Sequence, residues 1–429
     1  MAHVTNKLHD SSYIDRHKSK PTAFSRIRKL TFITIFVLIL RNSVKSIQLV
    51  LNEFTLDTNK NFSITAGAFC RARKKLLHTA YVELNDDIIG IYYRDNDIKR
   101  FKGYRLLGFD ASKITLPNTK EIKQEFGTKA FGNQIGNALG EYSSATYEAC
   151  YDLLNNIAVQ SSLNPCGSYE ADLAEKMISE LKHDDIAIYD RGYASYLFMA
   201  ALIKNNKNFI IRCPRTFITA ARNMFESNAP ETMTVTVDVP AQQSKEAKKR
   251  ELPLTIKIRL SRVILSTGEI EVLATSLFDT TEFCNNTMKE LYGLRWGVET
   301  FFSKIKGRLG LENFTGKTVE SVKQDFWSTI FISNLETIMT EKTEEKMNLE
   351  KPTENKQVKI NKAVSFNAIK KMAFDIFLNE KNKELVLGKL DNLFQMNPIV
   401  VREDRKLLRY KISDTRSLNF QKRMRKHVF

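Results

Sequence analysis

The chain has 429 residues, 42% of them hydrophobic, and carries 66 Lys+Arg against 49 Asp+Glu for a formal charge of +17. That length and apolar share exclude a disordered chain and suit two or three folded domains, and the basic excess suits a polyanionic partner. The five cysteines are scattered and odd in number, which excludes a disulfide framework and fits a reducing cytosol. Without Cys-x-x-Cys or His-x3-His, zinc has no support.

Residues 1–21 are polar and basic and are expected to be disordered. Residues 22–95 read as a helical domain. The one strongly apolar run, 30–40, is about half the length a membrane span needs and reads as a core helix. It lacks a signal-peptide cleavage site, so a cytoplasmic protein with no membrane partner is expected. Ser43 is a candidate cap for a helix ending near Phe54. After a turn at 56–61, Thr65 is placed to cap a second helix carrying Arg71, Arg73, Lys74 and Lys75. Two helices with a turn between them, the second basic, resemble a helix-turn-helix for DNA.

Residues 96–340 change pattern. Residues 104–110 read as a buried strand ending at Asp110, and 113–117 as its hairpin partner. More strand runs lie at 145–151 and 153–160. An amphipathic helix spans 168–181, with Leu173, Met177 and Leu181 inward. Residues 185–190 form an apolar strand ending at Asp190, followed by a helix near 195–204 and a strand at 208–213. Three strands, helix, strand, helix, strand fit an α/β, RNase H-like mixed sheet. Residues 214–280 read as a β-rich insertion, with strands at 233–239, 254–265 and 270–276 and a basic loop at 245–250. Residues 319–341 are helical, 341–364 read as a charged linker, 366–396 as helix, and 401–429 as a basic tail.

The stretch from Tyr292 to Lys306 is organised more tightly than its neighbours. On one continuous helix, Tyr292, Arg295, Glu299 and Lys306 share an arc of roughly 60°. Leu291, Leu294, Val298, Phe302, Ile305 and Leu309 form an adjoining apolar stripe. A carboxylate there suits a hard cation and the basic groups suit a phosphate. An ordinary surface stripe with an Arg295–Glu299 ion pair is the alternative. Gly293 and Gly297 argue against it, because each costs up to about 1 kcal/mol in a helix and is expected where a helix presses on another backbone. Trp296 could stack on a base, but it lies off this edge and is expected in the core, as is Trp327. Asp110 and Asp190, at strand ends, would complete a carboxylate trio with Glu299. Three such groups repel unless divalent cations neutralise them.

Tyr292-x2-Arg295-x3-Glu299-x6-Lys306 resembles the signature of bacterial insertion-sequence transposases with an Asp-Asp-Glu active site. Asp190-Arg191-Gly192-Tyr193 matches a second motif of that family. Asp110-Ala111-Ser112 departs from the family's Asp-Gly-Thr at two positions, which puts the turn there in question. The resemblance implies that Asp110, Asp190 and Glu299 are catalytic and hold two Mg2+ ions, with Mn2+ able to substitute. It implies that Tyr292 and Arg295 contact phosphate near the cleaved end, with Lys306 on the same strand. It also implies that the N-terminal helical domain binds terminal inverted repeats. The implied activity is cut-and-paste transposition by a homodimer acting on double-stranded repeat and target DNA, in a nucleoid-associated cytoplasmic setting. An RNase H-like endonuclease without strand transfer, or an inactive transposase-derived DNA-binding protein, are the alternatives.

Overall fold

A computed structural model describes all residues except 27, 42–44, 58–62, 133–137, 227, 266, 351–356, 379–382 and 402–429. The candidate Ser43 cap and the basic tail beyond 401 lie outside the described residues. The chain forms two compact units. One comprises Asp97–Lys113 and Thr146–Phe302; the other comprises Met1–Asn96, Ile114–Ala145 and Ser303–Phe429.

The strands are β1 (Arg105–Thr115), β2 (Thr128–Gly132), β3 (Ala138–Asp152), β4 (Ile157–Pro165), β5 (Asp185–Tyr189), β6 (Asn208–Cys213), β7 (Thr232–Asp238), β8 (Thr255–Ile264) and β9 (Ile270–Thr275). The sheet order is β2-β3-β1-β5-β6-β9-β8-β7, with β4 also on β3. Thus β4-β3-β1-β5-β6 is the RNase H-like core. β1 runs parallel to β5 from Arg105↔Asp185 to Gly108↔Ile188, and β5 parallel to β6. Both parallel pairings are continuous apolar runs because both faces are covered: Leu106, Leu107, Ile186, Ala187, Ile188, Phe209, Ile210 and Ile211 are all buried. At the start of the β1–β5 register, the Arg105 guanidinium meets Asp185 with two bonds of 2.7 Å.

The strand reading around Asp110 changes here. β1 continues unbroken to Thr115, so Asp110 lies mid-strand and the 113–117 hairpin partner does not exist. β5 stops at Tyr189, so the second half of β1 has lost the neighbour it had at Gly108. Strands β7–β9, read as an insertion, join the same sheet because β9 pairs antiparallel with β6. The basic loop at 245–250 is largely the helix Ser244–Lys249.

The helix Tyr196–Lys204 is capped by the Ser195 hydroxyl, which accepts from the Phe198 N–H. The expected helix over 168–181 is shorter, Glu170–Glu175 followed by a 3-10 turn, but Leu173, Met177 and Leu181 are buried as expected. The 285–309 stretch is not one helix. Asn285–Leu294 ends at Arg295, Trp296–Ser303 begins after it, and a π-helical turn Lys304–Arg308 follows.

The other unit is mainly helical. Residues 1–21, expected to be disordered, form helices Ala2–His9 and Ser11–Arg16. Their sparse apolar positions Val4, Leu8 and Tyr13 are all buried, and His17 contacts Glu83 at 2.7 Å. Every residue of helix Phe32–Leu40 is buried, which explains its all-round apolar character without a membrane. Among the described residues no helix is long and apolar enough to cross a membrane. Thr65 caps helix Ala66–Arg73 through the Ala68 N–H. Helix Val319–Glu350 runs 32 residues, well into the stretch expected as a linker. The 22–95 region does not stand apart: Phe36 packs on Phe331, Phe54 stacks on Phe374, and Asn334 bonds Asn85.

Candidate active site

Asp110 sits on β1 just past the point where β5 leaves it, and its Oδ1 accepts from the Ala111 N–H at 2.9 Å. Asp190 follows β5 directly and caps the 3-10 turn Arg191–Tyr193, its Oδ1 accepting from the Gly192 N–H at 2.7 Å. Both carboxylates therefore stand at the C-terminal ends of the paired parts of adjacent parallel strands. Ligands commonly bind at such edges of α/β sheets.

Glu299 reaches this edge on helix Trp296–Ser303, and Gly108 lets it do so. A methyl group at Gly108 would sit 2.5 Å from Val298 Cγ2 and 2.9 Å from Leu153 Cδ2. The close approach is thus on the strand side. Of the two helix glycines flagged from sequence, Gly297 faces Leu153, but Gly293 faces open space and has no packing role.

Arg295, at the joint between the two helices, ties the carboxylates together. Its Nη2 lies 3.0 Å from Glu299 Oε1 and its Nη1 lies 4.0 Å from Asp110 Oδ2. The guanidinium is almost wholly buried and lies near the Tyr292 and Trp296 rings, at 5.6 and 5.3 Å from their centroids. Its Nε has no hydrogen-bond partner among the described residues, nor does the buried Tyr292 hydroxyl. Burial pushes the Tyr292 phenol up to about 12. Burial also pushes Asp110 up to about 7. Arg295 opposes that shift, while Asp190 and Glu299 add to it. Trp296, expected in the core, is 48% exposed, since at helical spacing it lies opposite the buried Leu291 and Val298. Trp327 is half-buried, edge-on to Phe326.

Several neighbours carried no motif. Glu148 on β3 is fully buried. Its Oε1 accepts from the Tyr193 hydroxyl at 2.9 Å and its Oε2 has no partner among the described residues. Burial pushes Glu148 up to about 9, and Glu170, Asp110 and Asp190 add to the shift. The sequence signal was one acid inside a strand run otherwise of buried type, 142–151. On the other side, the buried Glu271 of β9 pairs with Arg212 of β6 at 3.1 Å.

The donor set is all carboxylate oxygen, the chemistry that suits a hard divalent cation. Asp110, pushed up to about 7 chiefly by burial, is the kind of group such a cation would relieve. Among the described residues no three His, Cys, Asp or Glu already form a metal-holding group. The counter-charge in this geometry is Arg295.

The remaining sequence candidates lie in the other unit. Lys306 is half-buried on the π-helical turn. Arg71 and Lys74 are exposed and Lys75 half-buried. Arg73, expected to face DNA, is buried. It donates to Gln324 Oε1 and Thr315 Oγ1 at 2.6 Å each, and to the Ser321 carbonyl and Asp325 Oδ1 at 2.8 Å each.

The model of the family described as "Transposase DDE domain" matches residues 102–335, more than half of the chain. The chain belongs to the DDE-domain transposases. Transposase InsG for insertion sequence element IS4, from Escherichia coli, is a relative 22% identical over 289 residues. That match covers 66% of this chain and 62% of the InsG chain. Among solved structures, a piggyBac transposase synaptic complex with hairpin DNA aligns at 9% identity and a TM-score of 0.48, covering 92% of this chain and 85% of that one. The matched region of this DDE-domain transposase contains every residue of the edge described above, from Asp110 to Glu299.

Proposed function

We propose that this protein is an insertion-sequence transposase that binds its element's terminal inverted repeats, cuts the 3′ strands and joins the freed 3′-hydroxyls to target DNA. The observation that carries the reading is one guanidinium, Arg295, shared by Asp110 and Glu299 at the sheet edge that also ends in Asp190. Asp110, Asp190 and Glu299 would hold Mg2+ or Mn2+, two ions in the full site. Such ions activate the attacking oxygen and stabilise the leaving one.

The chain's own groups do the rest. Arg295 leaves its two carboxylates and offers its planar fork to the phosphate beside the cut. Its Nε and the Tyr292 hydroxyl, without hydrogen-bond partners among the described residues, are donors for that phosphate. Lys306 adds a point charge on the strand. The exposed indole of Trp296 offers a face for an unstacked base. Asp190 is kept in place by its own turn, and Tyr193 anchors that turn to Glu148 on β3. Arg71, Lys74 and Lys75 contact the repeat, without Arg73. Two ends must be held together, so the working form on DNA is a homodimer.

The test uses a duplex carrying one terminal repeat, with Mg2+ or Mn2+ and a target plasmid. Wild-type protein should nick at the repeat boundary and give joined products. Asp110→Ala, Asp190→Ala and Glu299→Ala should each abolish nicking and keep repeat binding. Nicking without any joined product would replace this reading with that of an endonuclease. Nicking by Glu299→Ala would remove the site assignment.

A further inference from the structure

The turn that follows Asp190 holds an aromatic ring that is left more than half uncovered. Tyr169, which precedes helix Glu170–Glu175, is 55% exposed, and its hydroxyl donates to the Gly192 carbonyl at 3.3 Å. The turn does not depend on this bond. Its Gly192 N–H already donates to Asp190 at 2.7 Å, and the Tyr193 hydroxyl fastens it to Glu148 at 2.9 Å. The longer bond acts on the ring instead. A phenol tied at its far end has little rotamer freedom left to lose when something stacks on its face.

The surroundings select the partner. The segments bordering the ring, 165–168 and 190–192, carry no other large apolar side chain. A protein partner calls for a contiguous apolar patch, whereas one ring suits one flat group. The charges beside it cancel. Asp190 and Glu170 flank one point at Gly192, where a methyl group would lie 3.0 Å from Asp190 Oδ1 and 3.4 Å from Glu170 Oε2. Against them stand Arg191 and Lys113. Arg191 is exposed and its guanidinium makes no hydrogen bond or ion pair among the described residues. Lys113 acts on Glu170 through its charge but is engaged by the Thr146 hydroxyl at 2.7 Å and the Cys166 carbonyl at 2.8 Å. No surplus of positive charge is left to hold a phosphate. A nucleobase is uncharged, and every base has a π-face to stack.

We infer that Tyr169 stacks on a base of the DNA beside the cut, and that this base is a different one from that offered to Trp296. Tyr169 is tied to the turn of Asp190, and Trp296 begins the helix of Glu299, so the two rings stand on elements that carry different carboxylates. The inference rests on the proposed action on DNA for its ligand. It adds a second stacking platform, which fixes the strand on the Asp190 side as Trp296 fixes it on the Glu299 side.

The experiment uses full-length protein, without divalent metal, and repeat duplexes nicked at the repeat boundary, where flanking bases unstack at least cost. 2-Aminopurine replaces one flanking base at a time, and emission and anisotropy are read together. At one position wild type should quench the analogue, Tyr169→Ala should raise its emission severalfold, and Tyr169→Phe, which keeps the ring and loses the hydroxyl, should stay quenched. Trp296→Ala should act at a different position. Affinity should fall by about 5- to 150-fold in Tyr169→Ala and by far less in Tyr169→Phe. Equal losses in Tyr169→Phe and Tyr169→Ala overturn the inference and leave Tyr169 a brace of the turn. So does emission that Tyr169→Ala changes at no position, or only at the position that Trp296→Ala changes. An intact duplex that wild type binds but does not nick when Mg2+ is added would count against the proposed function and leave the emission result standing.

Discussion

Gly108→Ala tests whether the helix bearing Glu299 is seated on β1 as closely as described. The new methyl would stand 2.5 Å from Val298 Cγ2, with Leu153 Cδ2 at 2.9 Å on the other side. Carbon atoms in contact need about 3.5–4.0 Å, so the helix must retreat by about 1 Å. Overpacking of this kind costs about 1–3 kcal/mol of stability. The retreat carries Glu299 away from Asp110, and a 1 Å misplacement at a reacting centre costs on the order of 10²-fold in rate. The assays are urea unfolding and initial nicking rate on a repeat duplex. The control is Gly108→Ala with Val298→Ala, which removes the nearer clash and leaves Leu153 Cδ2, at 2.9 Å, to give way. It should recover most of both losses, giving a favourable coupling between two residues in contact. If Gly108→Ala unfolds and nicks like wild type, the helix is not seated on the strand. If Val298→Ala restores nothing, the loss comes from the strand backbone and the packing argument fails.

Arg295→Ala should nick more slowly yet reach half-maximal rate at lower Mn2+, by up to about tenfold. A unit charge ~4 Å away acts with about 4 kcal/mol, most of it offset by solvation. Arg295→Lys should recover only part of the rate because the fork is lost, and a weaker Mn2+ response in Arg295→Ala would refute its counter-ion role. In metal-free buffer, stability should fall as pH rises. Asp110 moves from an ordinary 3.8 to about 7 and Glu148 from 4.5 to about 9, so the unfolded chain releases these protons first. Thermal melts should show that fall between about 4 and 9, shallower in Asp110→Asn, and an equal fall in that variant would exclude Asp110 as a source. Tyr193→Phe removes the donor to Glu148 and should cost about 1–3 kcal/mol in urea unfolding, whereas Glu148→Gln, which keeps an acceptor, should cost little. Arg73→Ala takes from the buried Asp325 its ion-pair partner and leaves it the Thr315 hydrogen bonds, and should cost about 3–5 kcal/mol. Arg71→Ala should weaken DNA binding without changing the melt, and the reverse pattern would restore Arg73 to the DNA surface.

What the sequence determined by itself was local or repeated. Continuous apolar runs located β5, β6 and the core helix over 32–40, and the cap at Thr65 set one helix start. The spacing from Tyr292 to Lys306 picked out Glu299, and strand-end position picked out Asp190. Each of these signals depends on neighbours within a turn or two of the chain. Tertiary structure decided what depends on distant partners. A basic residue on an amphipathic helix reads the same whether it meets solvent or an acid 252 positions away, so Arg73 looked like a DNA contact. A strand run cannot announce that its neighbour stops, so Asp110 read as a strand end when it lies mid-strand beside the end of β5. Helical periodicity carried Tyr292 to Lys306 through one axis, but the helix breaks at Arg295 and again into a π-helical turn at Lys304. Glu148 became visible only when β3 was laid beside β1 and its carboxyl met Tyr193. Burial and charge pairing are properties of the assembled sheet, and they made Arg295 the counter-ion between Asp110 and Glu299.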